Sequence, residues 1–234
     1  MRGLAVMRPE LPLGIVAIPL RTRLVRPGDN LTEIVAAGVQ AIARPGDVIA
    51  VSETAVAIAQ GEFVAAERVR PSKLAYALSR RAGALATVNQ PESLQLVIDR
   101  VGTAKVIYAA IMHVLGRIRG KRGAFYEVMG EAITAIDGYT GTLPPYERAI
   151  VFAPREPDAF SQAVYERTGV ACAVVDANDL EKAKVLGASA GVDRTNVEYA
   201  LLENPHGNGD EQTPIVVLKW RAEGASPLAR VVSA

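Results

Sequence analysis

A mixed α/β fold, formally α+β with mixed sheets flanked by helices, is what this sequence predicts, on three observations. Short β-branched apolar runs are bounded by turn residues, amphipathic helical segments alternate with them, and half of the 234 residues are hydrophobic, enough to build a sizeable core. The runs at 14–19, 47–52 and 170–175 read as strands, with 148–152 and 214–220 as a fourth and a fifth. Asn30 is placed to cap a helix through Leu31, Ile34, Val35, Val39 and Ile42, with Glu33 at the capping-box position. Further helices open at Pro71-Ser-Lys, at Pro91-Glu-Ser-Leu and at Pro157-Asp-Ala-Phe, the last stopping at Thr168-Gly169 just before a strand.

Composition narrows the class. The 26 Lys and Arg against 25 Asp and Glu leave a net charge of +1, which gives no basic excess for nucleic acid or an anionic membrane. The single cysteine, Cys172, rules out an internal disulfide and sits in an apolar run as a small core residue. The longest apolar run, 106–116, is about half the length a bilayer-spanning helix needs. A cytoplasmic location without membrane or nucleic-acid partners is the expectation.

Several common chemistries have no motif here. No Gly-x-x-x-x-Gly-Lys-Ser/Thr loop, no Gly-x-Gly-x-x-Gly after a strand and no Gly-x-Ser-x-Gly elbow occurs. His113 and His206 lie far apart and lack zinc-ligand spacing. What is present is a pair of Arg-Pro-Gly-Asp units, 26–29 and 44–47. In each, Pro fixes φ and Gly supplies a positive φ for a sharp turn.

In their context these units carry a resemblance. Ala17-Ile-Pro-Leu20, then Pro27-Gly-Asp-Asn-Leu31, a helix, and Gly46-Asp-Val-Ile-Ala-Val51 resemble the opening of the coenzyme F-420 γ-glutamyl ligase family. Pro91-Glu-Ser-Leu-Gln-Leu-Val-Ile98 and Ala153-Pro-Arg-Glu-Pro-Asp158, with Glu166-Arg-Thr-Gly169 after it, are similar to later segments in the same order. The resemblance runs along nearly the whole chain. It implies a γ-glutamyl ligase-like fold with two intertwined subdomains inside a single 1–234 domain. A subdomain boundary is then expected near 138–147, a loosely held tail over 222–234, and a homodimer with a contact supplied by 106–115.

It also implies chemistry. GTP, or another nucleoside triphosphate, activates a carboxylate acceptor, and the amine of an amino acid then displaces phosphate. Mg²⁺ or Mn²⁺ neutralises the phosphates through hard oxygen ligands. By collinear correspondence the metal ligands are Asp137, in Ala135-Ile-Asp-Gly-Tyr-Thr140, and Asp176, in Val174-Val-Asp-Ala-Asn-Asp179. Asp176 closes the best-defined strand, where α/β sheets commonly hold ligands. Pro19, Leu20, Arg21, Ser52, Thr140, Gly207 and Thr213 correspond to nucleotide-side positions. Ala190-Gly-Val-Asp-Arg-Thr-Asn196 fits the first metal motif by letter but falls out of chain order, so Asp193 and Asn196 stand in reserve beside Asp179, Asp210 and Glu211. The alternative for each of these carboxylates is an N-cap or turn role, which suits Asp193 and Asp179 better than a ligand role, Asp137 equally, and Asp176 less. No catalytic residue is assigned.

The sequence departs from the family where a Ser and a Lys meet the nucleotide: Ala57 and Ile58 stand there, and Ala177 replaces a Thr beside the metal motif. Losing a phosphate-facing Lys removes a charge-assisted contact. Two readings follow, a divergent nucleotide- and metal-dependent amide ligase and a non-catalytic binding protein on the same scaffold.

Overall fold

The computed structural model describes residues 14–81, 89–121, 123–130, 136–139, 144–178, 182–207, 211–220 and 232–233. The chain divides into two compact units, the first formed by 1–60 with 154–234 and the second by 61–153. The segment 138–147 lies inside the second unit.

The first unit is built on a six-stranded mixed sheet. Along the chain come β1 (Ile15–Arg21), α1 (Leu31–Val39), β2 (Val48–Ser52) and α2 (Glu53–Gln60). The unit continues, after the second has been formed, with the elements that follow residue 154; its strand order is completed below. All five strands expected from the sequence are present.

The second unit holds β3 (Phe63–Ala65), α3 (Lys73–Ser79), α4 (Pro91–Val101), α5 (Thr103–Ile118), α6 (Ala124–Met129), β4 (Ile136–Tyr139) and β5 (Ala149–Phe152). Its three strands form an antiparallel sheet in the order β3-β5-β4. Leu94, Val97 and Ile98 of α4 pack with Val106 and Ala109 of α5, Met129, Ile136 and Ile150. The apolar run at 106–116 is thus helical, yet of α5 only Val106, Ala109 and Gly116 are buried. A Cβ on Gly116 would stand 3.1 Å from that of Ala124, so a small residue is what lets α5 and α6 approach. No single helix among the described residues is long and apolar enough to cross a membrane.

Chain then returns to the first unit as α7 (Pro157–Thr168), β6 (Ala171–Asn178), β7 (Lys182–Ala188), α8 (Arg194–Ala200), β8 (Ile215–Trp220) and β9 (Val232–Ser233). The order is β7-β6-β2-β8-β1-β9, with β2 parallel to β6 and β8 antiparallel to both β2 and β1. The two-residue β9 places 232–233, at the end of the expected tail, beside β1. Side chains alternate across the sheet. On one face Val48, Ala50, Ala173, Val175, Val216 and Leu218 pack with Val197 and Leu201, the first of these from α8. On the other, Leu20, Ile49, Val51, Cys172, Val174, Ile215 and Val217 are buried as well. A strand buried on both faces reads as a continuous apolar run rather than an alternation, and β2, β6 and β8 do so. Cys172 is a core residue, and burial pushes its thiol well above the ordinary range.

Local chemistry accounts for the helix ends. Asn30 Oδ1 accepts the Glu33 N–H, capping α1 as expected. The Glu33 carboxylate does not turn back to complete a capping box; it accepts two bonds from Arg167, at 2.8 and 3.1 Å. The helix stops at Val39 rather than Ile42 because the Ala43 and Ile42 N–H groups both close on the Val39 carbonyl. Pro157 opens α7 and Gly169, at φ 71, closes it. Helix α2 was not expected: Ala55, Val56, Ala57 and Ile58 are buried in succession, so the helix shows no polar stripe.

The two Arg-Pro-Gly-Asp units adopt one turn twice. Asp29 Oδ2 accepts the Arg26 N–H at 2.7 Å, and Asp47 Oδ2 accepts the Arg44 N–H at 2.8 Å. Gly28 and Gly46 sit at φ 84 and 98. Arg23 holds Asp29 in a bidentate pair at 2.7 and 2.9 Å, which keeps that carboxyl at about 2, well below the usual range. Lys219 of β8 donates to Asp47 at 2.6 Å, tying the second turn to the sheet.

Gly187 marks the tightest approach in the first unit. A Cβ there would lie 2.3 Å from the Pro157 carbonyl carbon and 2.4 Å from the Asp158 nitrogen, at the start of α7. Backbone cannot yield as a flexible side chain does, so Gly187→Ala should destabilise the protein by about 3 kcal/mol. Urea unfolding of the two proteins checks this, a loss below about 1 kcal/mol being the contrary result.

Candidate functional site

Strand direction decides where a site can form in the first unit. With β1, β2 and β6 running one way and β8 the other, the carboxyl ends of three strands share one edge with the segment leading into β8. The register fixes the order. Leu20 and Val51 both pair with Ile215, and Ser52 pairs with Val175. Arg21 and Ser52 therefore come level along the edge, and Asp176 lies one residue beyond that level on β6, the three strands spanning roughly 14 Å at the ordinary strand spacing.

The segment before β8 is laced onto that edge. The Thr22 N–H donates to the Gln212 carbonyl at 2.9 Å and the Ser52 N–H to the Pro214 carbonyl at 2.8 Å. Within the segment, His206 Nδ1 donates to the Thr213 carbonyl at 3.0 Å, and Thr213 Oγ1 donates to the His206 carbonyl. Since a carbonyl only accepts, Nδ1 carries the proton, and His206 Nε2 is a bare acceptor, buried without a hydrogen-bond partner. Burial holds the imidazole neutral, lowering it to about 4. Gly207, at φ 70, lies under the Glu211 carboxylate, which a Cβ at this position would meet at 2.6 Å.

The nucleotide-side positions divide by what they expose. Arg21 is exposed at the end of β1, Pro19, Ser52 and Gly207 are half-buried, and Leu20 and Thr213 are buried, the first in the apolar core. Asp176 is exposed on β6, which continues past it to Asn178 rather than ending there as expected, and it stands across from Lys184 of β7. Partial desolvation among its neighbours raises its carboxyl above the ordinary value, and Lys184 pulls the other way. Ala177 turns to the opposite, packed face.

Asp137 belongs to the second unit, in β4 across from Val151. Asp193 and Asn196 form the start of α8: Asp193 Oδ1 accepts the Asn196 N–H at 3.1 Å and Oδ2 accepts its side-chain amide at 2.9 Å. Thr140, Asp179 and Asp210 lie outside the described residues. Among the described residues no three Asp, Glu, His or Cys side chains are grouped as a metal site requires.

Residues 19–207 match the family model described as F420-0:Gamma-glutamyl ligase. The chain belongs to that family. Among curated proteins, 71 residues align at 38% identity with the Coenzyme F420:L-glutamate ligase of Methanopyrus kandleri. That alignment takes in 30% of this chain and spans 27% of the relative's length. The family match takes in β1 from Pro19, β2 and β6, and ends at Gly207, before the segment 211–214 that bonds to the edge and before β8.

His206 is the residue that the sequence reading set aside. Its signal was present, a histidine in a turn-rich polar segment seven residues before a threonine, but spacing of this kind identifies no chemistry until the loop is seen to close on itself. The imidazole makes the fold acid-sensitive. The folded state keeps it neutral down to about pH 4, whereas the unfolded chain takes up a proton near 6.5, so stability is full above 6.5 and falls as pH drops towards 4. At pH 5 the loss from this group is about 2 kcal/mol. His206→Gln, which keeps a donor to Thr213, should lose correspondingly less stability than wild type between pH 7 and 5 in chemical denaturation. Parallel curves would contradict a buried neutral His206.

Proposed function

We propose that this protein is a divergent amide ligase that joins the amine of an amino acid, glutamate in the first instance, to a carboxylate acceptor of the deazaflavin type, using a nucleoside triphosphate. The observation that carries the reading is the sheet edge: Arg21, Ser52 and Asp176, positions that the resemblance assigns to the site, come to one edge of one sheet, where residues 212 and 214 are bonded to β1 and β2. A carboxylate does not condense with an amine in water unaided. Attack of its oxygen on the terminal phosphorus releases the diphosphate and leaves an acyl phosphate; the amine then displaces phosphate and sheds a proton.

This chain's part is binding and placement. Arg21 offers an exposed cation, at the carboxyl end of β1, to phosphate oxygens. The bonds from Thr22 and Ser52 to Gln212 and Pro214 hold the segment before β8 against the strands, so the edge keeps one shape. Mg²⁺ or Mn²⁺ belongs to this reading, since a divalent ion offsets triphosphate charge. The described residues fit it incompletely: Asp176 is a hard oxygen ligand but faces Lys184, and no third ligand joins it. No step is therefore routed through the ion.

A specific observation favours the second reading. Ala57 is 0% and Ile58 5% exposed, so the positions where the family has nucleotide-facing Ser and Lys point into the core of the first unit. A binding protein for a nucleotide or another small molecule needs neither.

Asp176→Asn separates the roles. Asn is nearly isosteric and the site is exposed, so melting without ligand should stay near that of wild type. The stabilisation given by manganese with GTP should fall, because ligand-linked stability follows the binding constant. Equal stabilisation in both proteins would remove Asp176 from the site. An assay for diphosphate and amide products, with GTP, glutamate and a deazaflavin carboxylate, separates the two readings. Product formation supports the ligase, and saturable binding without product supports the binding protein.

A further inference from the structure

Helix α3 turns to water a face that carries cations around one aromatic ring. Arg68, Arg70, Lys73, Arg80 and Arg81 are exposed, and no Asp or Glu occurs between Arg68 and Pro91. Leu74, Ala75 and Leu78 pack into the second unit's core. Lys73, Tyr76 and Arg80, spaced by three and four residues, therefore line the opposite side, with Arg80 still in helical conformation at the C-cap. Tyr76 is 45% exposed. The carboxylates that border this segment are engaged elsewhere: Arg148 takes Glu67 at 3.1 Å and Glu92 at 4.0 Å, and Asp99 accepts from Gln95 at 2.7 Å. None of the five cations is in an ion pair with a described residue.

The net charge of +1 conceals this concentration, because it averages two units of opposite sign. Residues 61–153 hold 12 Lys and Arg against 8 Asp and Glu, while the rest of the chain holds 14 against 17. Whole-chain balance argues against a polyanionic partner; the local balance on α3 argues for one.

We propose that the outer face of α3, with Arg68, Arg70 and Arg81 flanking it, binds single-stranded nucleic acid without regard to sequence. Cations spread along a surface follow a phosphate backbone, and a ring among them gives a base a plane to stack on. Lys73 and Arg80 lie about 10 Å apart along the helix axis, with Tyr76 between them. A base stacked on Tyr76 has a phosphate on both sides only when it belongs to a chain. A free nucleotide would leave one of the two cations unused, and a duplex hides its base faces from the ring. The face also lacks the large aliphatic side chains with which an amphipathic helix enters a lipid surface, since Ala77 is the other residue on it. The proposal concerns the second unit alone and stands apart from the ligase reading.

Fluorescence anisotropy of a labelled oligothymidylate of about 12 nucleotides, titrated with the full chain, tests this. The expected result is saturable binding at about 50 mM sodium chloride, with log K falling against log salt at a slope of about −2 to −3, as for about three or four phosphates. Tyr76→Ala should keep the wild-type fold by circular dichroism and weaken binding by at least about fivefold. Lys73→Gln combined with Arg80→Gln should flatten the slope by about 1.4. Lys182→Gln, on β7 in the other unit, should leave binding unchanged. A wild type that does not bind the oligonucleotide overturns the proposal, whether or not it binds GTP or phosphatidylglycerol vesicles. So does a folded Tyr76→Ala that binds as tightly as wild type, or a double variant whose salt slope is unaltered.

Discussion

Strand β8 is the constraint on which the first unit depends. It enters the sheet between β1 and β2, antiparallel to both, and Ile215, Val216, Val217 and Leu218 are each 0% exposed. Full burial of four aliphatic side chains contributes about 1.5–3 kcal/mol apiece. Because β8 runs against its neighbours, its beginning meets their carboxyl ends, and the segment that leads into it must cross the edge where α/β sheets hold ligands. The same packing that stabilises the core therefore delivers Gly207, Glu211 and Thr213 to Arg21 and Ser52, though more than 150 residues of chain separate the two sets.

What the sequence made legible was local. Turns, caps and short apolar runs are decided by residues within a few positions of one another, so the five strands, the Asn30 cap and both Arg-Pro-Gly-Asp turns could be read directly. The short α2 could not, because four successive buried apolar residues, Ala55 to Ile58, leave no helical period to detect. α8 was hidden for another reason. Asp193 and Asn196 drew a metal reading by letter, while their geometry is that of an N-cap, and the two uses share the same residue types.

The edge itself was legible only through the family pattern. Nothing in the spacing of Arg21, Ser52 and Asp176 announces that they share one edge; that follows from strand order, and strand order is a property of the whole sheet. His206 shows the converse. It bonds to Thr213, seven residues away, yet its meaning depends on burial, which removes one ring nitrogen from water and gives it no partner. A buried acceptor of that kind costs about 1–3 kcal/mol, set against the two bonds that join His206 and Thr213.

The clasp at the junction of the two units has a consequence for how the family can vary. The Gln60 side chain accepts from the Arg155 N–H at 2.7 Å and donates to its carbonyl at 3.0 Å, while the Arg155 guanidinium donates to the Gln60 carbonyl at 3.1 Å. The chain leaves the first unit after Gln60 and comes back at Pro154, next to Arg155, so the ends of the 61–153 insert are already pinned together. Closing a loop costs entropy that grows only with the logarithm of its length, about 0.6 kcal/mol for each doubling. With the ends fixed by a clasp of the first unit's own making, natural selection is at liberty to lengthen, shorten or remodel the insert while the register of the larger sheet is inherited unchanged.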